Sequence, residues 1–161
     1  MNPSLLLLPE LQIEGDRTRS VLQRLPDDRL DWRPHPRSRS LGEIAQHIAY
    51  LPTLFLAYLG EDGLDRDTVE RRATTVAAFI DEFENGMRRG ARALEGLTAE
   101  AWVQLWRYRR GDTLIFELPR YVVARTTALN HLIHHRGQLT VYMRELEIPV
   151  PAIYGPTADE E

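Results

Sequence analysis

The chain has 161 residues, 43% of them hydrophobic, which predicts one domain over residues 1–161 with a core large enough to need no staples. All 20 basic residues are arginine and cysteine is absent, so Schiff-base lysines, a P-loop lysine, thiolate nucleophiles and cysteine zinc sites are excluded. A net charge of −4 argues against general affinity for nucleic acid, and any transition metal must be held by nitrogen and oxygen.

The first predicted helix covers about residues 3 to 25, with Pro9 bending or delaying it, and stops at "LPDD". Its leading stretch "NPSLLLLPELQIEGD" lacks the basic n-region and small-residue cleavage site of a leader. No stretch approaches the roughly 18 apolar residues of a membrane span. A cytoplasmic chain with neither nucleic-acid nor membrane partners is therefore expected. "WRPHPRSR" (Trp32 to Arg39) is a local basic patch, and its prolines make it an extended connector.

The second helix starts at "SLGE", where Ser40 and Glu43 have capping-box spacing, and runs to about Leu59 with a kink near Ile48 caused by Pro52. The third spans about 74 to 96, capped by Thr74 or Thr75. "TAEAW" reads as a short helical turn. "QLWRYRRGDTLIFEL" has aromatic and branched residues on both sides of a Gly-Asp turn, which predicts a small hairpin. Its "RGD" (Arg110 to Asp112) belongs to that turn rather than to an adhesion motif. The fourth helix runs from about Pro119 to Glu147 and is stopped by "IPVPAIYGP". The expected fold class is all-α: an antiparallel four-helix bundle with a small irregular or hairpin insertion before the last long helix.

Placed at 100° intervals, Tyr121, Ala124, Ala128, Leu132, Leu139, Tyr142 and Leu146 form one stripe of the fourth helix, with His131 and His135 inside it. His134 falls at the border. Arg136 points further away, towards Met143, and reads as a surface or interface charge. On the second helix His47 sits among Leu41, Ile44, Ile48, Leu51, Leu54, Phe55 and Tyr58. Three inward imidazoles are costly to bury unless each finds a partner, and one divalent ion satisfies all of them. Histidines at i and i+4 lie one turn apart, so two can meet one ion while a facing helix supplies the third.

"HLIHH" has leucine where a zincin needs glutamate, and no Glu-x-x-His pair supports a carboxylate-bridged di-iron centre, which leaves a mononuclear three-histidine site at His47, His131 and His135. Three nitrogens leave a coordination position open, as in catalytic rather than structural sites. Such an ion lowers the pKa of a coordinated water or thiol. Glu43 lies one turn before His47 and is a candidate base, though its capping place explains it more simply. Tyr58 and Tyr142 are candidate hydrogen-bond donors to a ligand.

"SLGEIAQHIAYL", "LNHLIHHRGQLTVYMREL" and the tail "IPVPAIYGPTADE" together resemble the DinB/YfiT-like metal-binding four-helix bundles, which are unrelated to the polymerase sharing the DinB name. The resemblance covers most of the chain. It implies His47, His131 and His135 as ligands, zinc or nickel as the metal, and a homodimer. It also implies thiol-dependent S-transfer or isomerisation with a low-molecular-weight thiol, while the open coordination position makes hydrolysis of a small-molecule substrate by metal-bound water the other enzymatic expectation. The contrasting expectation is a non-catalytic, stress-linked metal-binding or interaction protein.

Overall fold

A computed structural model describes residues 1–70 and 72–160. The helices are α1 (Ser4–Leu22), α2 (Leu41–Phe55), α3 (Val76–Glu95) and a last run in three pieces: α4 (Arg120–Val122), a π-helical stretch (Val123–Asn130) and α5 (His131–Glu145). α1 and α2 each pack against both α3 and α5, which closes a four-helix arrangement around one core. None of these helices is long and apolar enough to cross a membrane.

The fold is mostly helical but not purely all-α. The expected hairpin forms from β2 (Leu105–Arg110) and β3 (Thr113–Pro119), turning at Gly111, whose φ of 53° suits glycine. A third strand, β1 (Gly63–Asp65), pairs parallel with β2 and gives the order β1-β2-β3. At Gly63 a Cβ would sit 2.3 Å from the Arg107 carbonyl oxygen, so the close pairing needs glycine.

α2 starts where its capping box predicts. Ser40 Oγ accepts from Glu43 N at 3.1 Å, and Glu43 Oε2 accepts from Ser40 N at 2.6 Å. It ends at Phe55, short of the expected Leu59, with Pro52 inside it. Carbonyls beyond that point are claimed by the hairpin region instead. Trp106 Nε1 donates to Tyr58 O at 3.1 Å, and the buried Arg120 donates to Leu59 O at 2.7 Å and Glu61 O at 2.8 Å.

α2 and α3 approach closely because Gly86 and Gly90 lie between them. A Cβ on Gly86 would stand 2.8 Å from Thr53 N, and one on Gly90 would stand 2.7 Å from Leu56 Cβ. Gly86→Ala would gain about 1 kcal/mol of helix propensity yet force α3 away from backbone. The expected result is a net loss of about 1–3 kcal/mol in urea unfolding. A stabilised variant would show that the packing can relax.

The π-helical stretch corrects the projection used for the fourth helix. Its i→i+5 turn advances each residue by less than an α-helical turn does, so residues before it are out of phase with those after it. Tyr121, placed on the inward stripe by a uniform 100° step, is 44% exposed. After the π stretch the deepest line is Leu132, Arg136, Leu139 and Met143, and the histidines lie at its edge, facing α2.

Candidate metal centre

His47 comes from the second turn of α2, and His131 and His135 from the first two turns of α5. Their Nε2 atoms converge: His47 to His131 is 3.2 Å and His131 to His135 is 2.9 Å. The three rings lie 4.5 to 5.0 Å apart between centroids. Imidazole nitrogens bound at about 2.0–2.1 Å around one tetrahedral or octahedral ion would stand about 2.9–3.4 Å apart, so the spacing fits a shared cation.

The tautomers make the cluster electron-rich. His131 Nδ1 donates to Thr127 O at 3.2 Å, and His135 Nδ1 donates to Gln138 Oε1 at 2.7 Å. Each ring therefore presents an Nε2 lone pair to the other. Two lone pairs at 2.9 Å repel unless a cation lies between them. Burial pushes the pKa of His135 down to about 4, with the hydrogen bond to Gln138 opposing that shift and the charges of His131, His134 and Arg39 adding to it. Burial likewise lowers that of His131. Both imidazoles are neutral at pH 7, the form that binds metals.

His134 is exposed and stands outside this group, its ring 4.9 Å from that of His135. Among the described residues no fourth histidine or carboxylate joins the three. One wall is aromatic: Phe55 lies 6.3 Å from His131 and 5.3 Å from Tyr108, and Tyr108 stacks at 5.2 Å on Phe116. Phe55 thus stands between His131 and the aromatic residues of the hairpin. The other side opens into a cavity of about 300 Å³.

Glu43 is occupied by the capping box, and its Oε2 also lies 3.7 Å from Arg33. The Tyr142 hydroxyl reaches the cavity and donates to Arg39 O at 3.3 Å, whereas the Tyr58 ring lies beneath Arg89.

Arg136 is not a surface charge. It is 1% exposed and faces α1, where Nη2 donates to Glu14 Oε2 at 2.6 Å and Nη1 to Thr18 Oγ1 at 3.2 Å. Tyr154 of the C-terminal tail accepts from Arg136 at 2.7 Å and donates to Glu14 at 2.8 Å. This network fixes α5 against α1 one residue after a histidine of the cluster.

The sequence pattern of the DinB family matches residues 1–161. The chain belongs to the DinB family. Among relatives, the uncharacterized protein YrdA of Bacillus subtilis strain 168 is 27% identical over 160 residues, covering 95% of this chain and 89% of YrdA. Two solved DinB-like proteins share the fold. That from Bacillus cereus ATCC 10987 superposes with a TM-score of 0.73 at 24% identity, over 92% of this chain and 95% of its own. YjoA from Bacillus subtilis gives 0.73 at 19% identity, over 93% and 99%. Among the described residues of this DinB-family chain, the three-histidine group is the feature with metal-binding chemistry.

Proposed function

We propose that this DinB-family chain is a metal-dependent enzyme acting on small molecules. His47, His131 and His135 would hold a zinc or nickel ion, and a low-molecular-weight thiol would serve as cosubstrate in S-transfer. The observation that carries the reading is the convergence of three imidazole Nε2 atoms beside an open cavity, with no fourth histidine or carboxylate joining them among the described residues. A fourth donor would have favoured a closed, structural ion and the non-catalytic alternative.

When bound, the ion would supply Lewis acidity that favours the thiolate at neutral pH. The chain's own groups prepare for this. Thr127 O and Gln138 Oε1 hold the rings of His131 and His135 with Nε2 inward, and the Phe55, Tyr108 and Phe116 wall limits water on one side. In the transfer the sulfur lone pair forms a bond to an electrophilic carbon while that carbon's bond to the leaving group breaks. The leaving group departs with the electron pair and the thiol proton passes to solvent.

Metal-loaded protein assayed on electrophilic substrates should turn over only when a thiol is present. Unchanged turnover without thiol would eliminate S-transfer and leave hydrolysis, in which a water-derived oxygen appears in the product.

A further inference from the structure

The cavity beside the histidine cluster is lined by Ser38, Arg39, Ile44, His135, Gln138 and Tyr142. It has no carboxylate on its wall, in a chain with more acidic than basic residues. Four other surface cavities each carry two: Glu84 and Glu95, Asp31 and Glu43, Asp81 and Glu82, and Asp62 and Asp65.

Arg39 supplies the cavity's one permanent charge. Its neighbour Arg33 is engaged by Glu43 at 3.7 Å, but among the described residues no carboxylate lies within ion-pair distance of Arg39. Its backbone is held in place: Arg39 O accepts from the Tyr142 hydroxyl, and the Tyr142 ring meets Trp32 edge-on at 5.5 Å. Arg39 lines the same cavity as His135. An unpaired guanidinium beside a cation site is self-repelling, and an anion seated between the two relieves it.

We propose that Arg39 anchors a carboxylate of the substrate, so that the site selects small molecules carrying a carboxylate a few bonds from the atom that meets the histidine cluster. The inference rests on the metal-dependent reading above. The guanidinium fork matches a carboxylate in two parallel hydrogen bonds, and Ser38, Gln138 and Tyr142 add polar groups around it.

A phosphate is less well matched, because the start of α2 has no amides to spare. Leu41 N donates to Trp32 O, Gly42 N to Leu30 O, Glu43 N to Ser40 Oγ and Ile44 N to Ser40 O. One guanidinium without a backbone nest suits a single negative charge.

The test uses cobalt(II)-loaded protein titrated with 3-mercaptopropionate and with 3-mercaptopropan-1-ol, followed by thiolate-to-cobalt charge-transfer absorption. The probes share the thiol and differ in the carboxylate. Wild type should bind the carboxylate about 5–10-fold more tightly. Arg39→Gln should bring the two within about twofold by weakening only the carboxylate, and Arg39→Lys should keep part of the preference. Equal affinities in wild type, or parallel losses of both probes in Arg39→Gln, would overturn the assignment of Arg39. Elemental analysis of the same samples separates the two readings: full metal without discrimination sinks the Arg39 inference alone, whereas wild type that takes up no metal sinks both.

Discussion

Replacing His135 by alanine is expected to remove stoichiometric metal from the purified protein, while replacing His134 leaves the content near that of wild type. His135 brings its Nε2 to 2.9 Å from that of His131, whereas His134 points to solvent from the same turn. Loss of one donor in three should weaken binding by more than the roughly 10–100-fold typical of removing a supporting hydrogen bond. Gln138→Ala, which deletes the acceptor for His135 Nδ1, should fall inside that range. Elemental analysis and competition with a chelator then give a predicted order, His135→Ala most severe, Gln138→Ala intermediate and His134→Ala least.

The folded state supplies an independent check, since a site built for a cation is uncomfortable without one. Removing one of two opposed lone pairs should leave the metal-free protein at least as stable as wild type in urea. Equal metal loss from His134→Ala and His135→Ala would refute the geometric assignment, and unfolding of the metal-free His135→Ala protein would show that the ring is a packing element instead.

The grouping of His47 with His131 and His135 was legible in the sequence because two facts suffice for it: histidines four apart share a helix face, and His47 stands on an apolar face of another helix. Their convergence needs only that α2 and α5 be neighbours. The helix starts were similarly legible where chemistry marks them, as at the Ser40–Glu43 box and at Thr75, whose side chain accepts from Ala78 N at 3.2 Å. β1 was not, since three residues are too short for an alternating pattern and their pairing partner lies more than forty residues away.

Uniform helical spacing was the assumption that failed. The π-helical stretch breaks the phase between Tyr121 and His131, and nothing in "VARTTALN" announces an i→i+5 turn. Arg136 falls outside the predicted stripe for the same reason: Ala124 and Ala128, which help to centre that stripe, lie inside the π-helical stretch, and beyond it the buried face turns towards Arg136 and Met143. A signal was nevertheless present. The buried line Leu132, Arg136, Leu139, Met143 and the buried line Leu7, Leu11, Glu14, Thr18 share the spacing i, i+4, i+7, i+11. Each contains one charge, and the two are opposite. Two buried stripes that are apolar apart from Thr18 and one charge each, of opposite sign, predict facing helices joined by a buried ion pair.

Arg136→Ala is accordingly expected to cost about 3 kcal/mol, because it removes the buried partner of Glu14 and leaves that carboxylate only Arg17 and Tyr154. For a chain of this size that corresponds to a melting temperature lower by roughly 10 °C. Burial alone would raise the Glu14 pKa, but hydrogen bonds from Arg136 and Tyr154, the Arg136 charge and a hydrogen bond from Arg17 outweigh it and hold the carboxyl below its ordinary value of 4.5. A carboxyl whose pKa is lower folded than unfolded contributes stability that is fully present above the unfolded value and lost as pH falls through the folded one. The gap between wild type and Arg136→Ala should therefore be widest near pH 7 and narrow below about pH 4.5. Glu14→Leu combined with Arg136→Met, which removes both charges and keeps apolar volume, should recover most of the lost stability. Urea unfolding of the three proteins at pH 7 and pH 3.5 checks all of this, and a pH-independent gap would mean that packing of the arginine stem, not the ion pair, joins α5 to α1.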